Sequence, residues 1–121
     1  MMEYWAHKRE GRQIVWQTLQ EHLRGAARRA AECLRPVGLE NAAYLAALLH
    51  DAGKAAPAFQ KYLAAGDHSA RGQVIHSFQG CRYLMEQFHE ETDPVRTGVM
   101  ASELLAFAIG AHHGLFDCVD P

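Results

Sequence analysis

Residues 48 to 63 read "LLHDAGKAAPAFQKYL": His50 and Asp51 stand side by side at the end of an apolar run, with Gly53 and Lys54 directly behind them. A second adjacent pair, His112 and His113, precedes Gly114. His76 opens "HSFQG", and His22 lies among Leu19, Leu23 and Ala26 in "LQEHL". Imidazole and carboxylate are the ligands that divalent transition metals take, and a two-metal hydrolase needs about seven or eight of them, one a carboxylate shared by both ions. A carboxylate at the end of a core helix costs roughly several kcal/mol to bury unless a cation compensates it, which makes Asp51 the natural bridge. Lys54, one turn beyond Asp51, does not ligate while protonated, but its ammonium can hold a phosphate oxygen.

Each residue has an ordinary competitor. The competitor for His22 is a satisfied core histidine, for Lys54 a surface lysine, and for His112 or His113 a helix-terminal cation favoured by the helix dipole. Together the four places favour ligation. His7 in an irregular N-terminus, His68 in a polar loop and His89 beside Glu90 and Glu91 are expected to lie outside the metal site.

The elements that must position these groups are helical. Leu19, Leu23, Ala26, Ala27, Ala30, Cys33 and Leu34 recur at helical spacing, which predicts a first helix from about Thr18 to Leu34, ended by Pro36 and Gly38. Its polar face carries Arg24, Arg28 and Arg35, read as a solvated face or a phosphate-steering strip. A second, nearly all-apolar helix runs from about Glu40 to Ala52 and is expected at the centre, with Gly53 as terminator. "PAFQKYLAAG" makes a short third helix between Pro57 and Gly66, and "DHSARGQVI" a polar loop. "HSFQGCRYLMEQF" gives a fourth helix, capped by Ser77, with Phe78, Cys81, Leu84, Met85 and Phe88 on its core stripe. "TDPVRTGVMASELLAFAIGAHHG" gives a fifth, entered through Thr92, Asp93 and Pro94. No stretch alternates convincingly as a strand, so the class is all-α, a bundle of about five helices around a metal site.

A chain of 121 residues is expected to form one domain with a single modest core. Hydrophobic residues make up 49% and charged residues 21%, with no low-complexity tract, so disorder is excluded. A net charge of -2 excludes a generally basic nucleic-acid binder, and any anionic substrate must be attracted locally. Cys33, Cys81 and Cys118 offer no CxxC pair, which disfavours a disulfide framework or a zinc knuckle and fits a reducing cytoplasm. Neither a signal peptide nor a membrane span is expected.

"LQEHL", "LLHDAGKAAPAFQKYL", "HSFQG" and "AIGAHHG" together resemble the HD nuclease domain of the CRISPR-associated helicase-nuclease of type I systems, a branch of the HD phosphohydrolases. The resemblance runs from about Tyr4 to Gly114. It implies a dinuclear site that cuts single-stranded DNA in defence against foreign DNA, one ion held by His22, His50 and Asp51 and the other by Asp51, His76, His112 and His113. The metals implied are manganese, nickel, cobalt or iron. The partners implied are single-stranded DNA, a superfamily 2 helicase domain or subunit, and the RNA-guided CRISPR surveillance complex. The family's domain is longer and has a further ligand aspartate in a later helix; residues 1–121 are expected to form a partial domain that ends before it, Asp117 and Asp120 lying too near the fifth helix to replace it. An exposed apolar patch, or a dimer that hides one, is the corresponding expectation. Two other functions fit the same residues: a phosphohydrolase acting on nucleotides, and a catalytically incomplete docking module for a helicase.

Overall fold

The structure, a computed structural model, describes residues 2–66, 74–89 and 97–114. Among them are the five expected helices, α1 (Leu19–Leu34), α2 (Glu40–Leu49), α3 (Pro57–Ala65), α4 (Phe78–Phe88) and α5 (Thr97–Gly110). The class is all-α, as the spacing of apolar residues predicts. One addition is a small antiparallel hairpin, β1 (Trp5–Arg9) with β2 (Val15–Thr18), in the stretch expected to be irregular. Its strands are short and one register irregularity falls between Trp5 and His7, so period-two alternation never develops enough to be read. Packing of Trp5 against Trp16, ring centres 5.4 Å apart, and Lys8 over the Trp16 ring substitute for that pattern.

β2 runs directly into α1 through Thr18, which forms a capping box. Its hydroxyl accepts from the Glu21 N–H at 3.2 Å, and the Glu21 carboxylate accepts from the Thr18 N–H at 3.4 Å. Thr18→Ala is expected to cost about 1 kcal/mol in a urea unfolding experiment and to loosen the first turn, on which His22 sits. A variant as stable as the parent would contradict that role. α1 ends in a 3₁₀ turn, Arg35–Val37, and Gly38 at φ 74° reverses the chain.

α2 lies between α1 and α5, in the central place expected of it. It stops at Leu49, short of the predicted Ala52, and a 3₁₀ turn over Ala52–Ala55 follows. α3 begins with Pro57 and closes at Gly66, φ 64°. Ser77 occupies the N-cap position of α4 without a capping hydrogen bond and is itself buried. The predicted entry to α5 through Thr92, Asp93 and Pro94 lies outside the described residues, as does most of the "DHSARGQVI" loop.

The core is small. Leu84, Ala106 and Ile109 are buried between α4 and α5, and Leu45, Ala46 and Leu49 of α2 pack against them. Burial of this apolar face is what holds α2, α4 and α5 together, at roughly 25 cal/mol per Å² removed from water. The backbones of α2 and α4 approach so closely at Gly80 that a Cβ there would overlap the Leu49 carbonyl group. Met100, Leu104 and Phe107 on α5 are each more than half exposed. No helix among the described residues is long and apolar enough to cross a membrane.

Candidate metal centre

Five segments converge on Asp51. β1 brings His7, α1 brings His22, the end of α2 brings His50, the turn before α4 brings His76, and the turn after α5 brings His112 and His113. The convergence begins with the break in α2. His50 keeps helical angles, while Asp51 departs from them at φ -114°, ψ 17°, so two adjacent side chains that a continuous helix would splay about 100° apart come to one point. The 3₁₀ turn returns the chain at once, with the Lys54 N–H donating to the Asp51 carbonyl. Gly53 has no positive φ, and the reason for glycine there is space: a Cβ would overlap the His76 carbonyl and the Gln79 side chain. Its expected part in letting the chain turn is thus replaced by one in letting His76 approach.

The Asp51 carboxylate, 5% exposed, divides its surroundings by oxygen. Oδ2 faces His22 Nε2 at 3.0 Å, His50 Nε2 at 3.3 Å and Lys54 Nζ at 2.9 Å. Oδ1 faces His112 Nε2 at 3.1 Å and His76 Nε2 at 3.3 Å. His113 Nε2 stands 2.9 Å from His76 Nε2. Two groups of ligand atoms follow, Asp51 with His76, His112 and His113, and Asp51 with His7 and His22.

His7 is the residue that sequence reasoning leaves out and the structure brings in. Its ring lies edge-on to His22, centroids 4.7 Å apart. The signal for it is the hairpin, whose strand β1, docked beside α1, carries residue 7 to the centre. Gln60 of α3 makes that docking, accepting from the Trp5 N–H at 3.1 Å and donating to the carbonyls of Trp5 and Lys54. His89 pairs with Glu103 at 2.9 Å, away from the centre, and His68 lies outside the described residues. Asp117 and Asp120 lie outside them too.

Lys54 is buried. Its ammonium contacts Asp51 and the Ala6 carbonyl, so its charge acts on the carboxylate from behind. Burial tends to raise the Asp51 pKa, but hydrogen bonds from His112, His50, His76 and Lys54 outweigh it and hold the carboxyl far below the usual range. The His112 ring is pushed up by its hydrogen bond to Asp51. Burial lowers His22, although Asp51 opposes it. His7 is lowered by burial and by the Lys54 charge, and His113 by burial and by its neighbours His112 and His76.

The donor set fits divalent ions. His112 Nδ1 donates to the Ile109 carbonyl at 2.6 Å and His50 Nδ1 to that of Ala47, which leaves each Nε2 lone pair aimed at a carboxylate oxygen. Two acceptors at 3.1–3.3 Å repel unless a proton or a cation lies between them. Protonating every ring would crowd imidazolium charges whose centroids are about 4–6 Å apart, and burial favours the neutral form in three of them. Divalent cations resolve the conflict.

The apparent affinity of the Asp51–His76–His112–His113 group is expected to rise with pH above 6.5, as the proton favoured on His112 gives way to the ion. The group containing His7 and His22, held neutral by burial, is expected to be nearly level over the same range. Calorimetric manganese titrations at several pH values separate the two; parallel pH slopes would refute the difference.

The family model described as "Cas3, HD domain" matches residues 1–120. No curated protein and no solved structure matches the chain. A nearly full-length match, over a bundle that gathers the histidines and the aspartate of the HD motif into clusters able to bind metal, settles the kinship: the chain belongs to the Cas3 HD-domain family, CRISPR-associated nuclease domains of the HD hydrolase class.

Proposed function

We propose that this protein hydrolyses phosphodiester bonds of single-stranded DNA during CRISPR interference, using two divalent transition-metal ions. Asp51 would be shared between them, with His7, His22 and His50 available to hold an ion on its Oδ2 side and His76, His112 and His113 one on its Oδ1 side. The observation that carries the reading is the shared carboxylate, whose two oxygens face different ligand groups. Manganese, nickel, cobalt and iron all suit imidazole with carboxylate. Bound there, such ions supply Lewis-acid polarisation of a phosphoryl oxygen and activation of water.

The chain's own residues orient and balance this chemistry. Backbone carbonyls of Ala47 and Ile109 fix the rings of His50 and His112 with Nε2 inward. Lys54 holds Asp51 ionised and in place, and its positive charge offsets that of an incoming phosphate from within the fold. His7, His112 and His113 are exposed, so the centre opens to solvent along one side. An open centre suits a polymer threading past it better than a nucleotide held in a closed pocket, which favours the nuclease reading over nucleotide hydrolysis.

The domain spans residues 1–121 in this reading and works in the cytoplasm with a superfamily 2 helicase domain or subunit and the RNA-guided surveillance complex. Degradation of circular single-stranded DNA with manganese or nickel tests the activity. Cutting that persists in a chelator would end the metal-dependent reading, and release of phosphate from nucleotides without DNA cutting would replace it with the nucleotide one.

A further inference from the structure

β1 does not end at the centre. Residues two apart on a strand share a face and stand about 6.6 Å apart along it, so Arg9 is the next side chain on the face that carries His7. The pairing of His7 with Gln17, Lys8 with Trp16 and Arg9 with Val15 keeps that alternation regular. Beyond Arg9 the chain turns, and Arg9, Gly11, Arg12, Gln13 and Val15 line an open hollow of about 560 Å³. Arg9, Arg12 and Gln13 are all exposed. The acid at the turn, Glu10, is held by Lys8 at 2.7 Å, and among the described residues no carboxylate pairs with Arg9 or Arg12. A chain of net charge -2 thus carries, on the hairpin whose first strand enters its metal centre, two guanidinium groups with no carboxylate partner among the described residues.

We propose that the tip of the hairpin is a backbone-binding subsite for the DNA strand, in which Arg9 and Arg12 hold the phosphates next to the one cleaved at the metal centre. This rests on the reading of that centre as a single-stranded DNA nuclease. A guanidinium fork matches a phosphate bidentately, and the stride from His7 to Arg9 is comparable to that between successive phosphates of an extended strand. Ile14 and Val15, 59% and 58% exposed, offer apolar surface to the sugars and bases that such a strand would lay over the tip. A mononucleotide would end before reaching Arg12. The hairpin thereby selects polymers over monomers, and its basic residues supply the local attraction that the net charge withholds.

The double variant Arg9→Gln/Arg12→Gln in the 121-residue chain tests this on two probes. One is an oligothymidylate of about 12 nucleotides and the other bis(p-nitrophenyl) phosphate, which has no backbone beyond the scissile diester. With manganese, the ratio of kcat/KM for the oligomer to that for the small diester is expected to fall about tenfold, mainly through KM for the oligomer. Without metal, binding of the oligomer is expected to lose about 1.4 from the slope of log affinity against log salt, two contacts at about 0.7 each, and the double lysine variant to recover it. An unchanged ratio with an unchanged salt slope overturns the subsite even where the parent chain cuts DNA. A parent chain that cuts neither probe overturns the nuclease reading instead, and the salt slope still decides whether the hairpin binds a phosphate backbone.

Discussion

Asp51→Ala is expected to lower metal-dependent cleavage of circular single-stranded DNA by about 10³-fold, the scale on which loss of one charge-stabilising group at a reacting centre is felt. The size follows from its place: its oxygens face His22, His50 and Lys54 on one side and His76 and His112 on the other, so one substitution disables both ligand groups. It also leaves the Lys54 ammonium, 6% exposed, with the Ala6 carbonyl and the face of the Phe59 ring but no counter-charge among the described residues, and breaking a buried ion pair costs about 3–5 kcal/mol. Loss of activity through unfolding must therefore be separated from loss through chemistry. His113→Ala serves that purpose, because its exposed ring leaves no buried charge behind and the change is expected to move stability by no more than about 0.5 kcal/mol. Ions bound per chain, counted by calorimetry, are expected to fall by two in the Asp51 variant and by one in the His113 variant. An Asp51 variant that keeps both ions and its cleavage rate would remove the carboxylate from the centre of the mechanism.

Gly80→Ala is expected to be the most damaging substitution of a residue that carries no chemistry. A Cβ at this position would overlap the Leu49 carbonyl group, and backbone cannot rotate away as a side chain can. α4 must then lift from α2, opening the contact of Leu84 with Leu45, Ala46 and Leu49. Overpacking of this kind costs about 3 kcal/mol, at the upper end of the usual range. For a domain of this size that corresponds to a fall of roughly 10 °C in Tm. Leu49 immediately precedes His50 and Asp51, and Gly80 follows His76 by four residues, so the same displacement pulls ligands of both groups apart. Manganese affinity is therefore expected to fall along with Tm, measured by calorimetry on the folded variant at low temperature. A variant with the parent's Tm would show that α2 and α4 can part at no cost, against the close approach described here.

Much of this protein is legible in its sequence. Five amphipathic or apolar segments with their terminators determine the helical class, because helix formation and burial of a stripe are read from residues three and four apart. Residue type and company together nominate His22, His50, Asp51, His76, His112 and His113, since each alone has an ordinary competitor and only the set favours ligation. Tertiary structure decided what depends on residues distant in the chain. His7 joins the centre only because a hairpin too short and irregular to show alternation is clamped to α3 by Gln60, 55 residues away from Trp5. Lys54, expected to face a phosphate, turns inward because the buried Asp51 carboxylate is the nearest strong partner for its charge. Gly53 and Gly80 are glycine because other segments press against them, and no local pattern records that pressure. The division has one physical cause: periodicity and ligand chemistry are properties of neighbours along the chain, whereas charge compensation and close approach are settled only when separate elements meet.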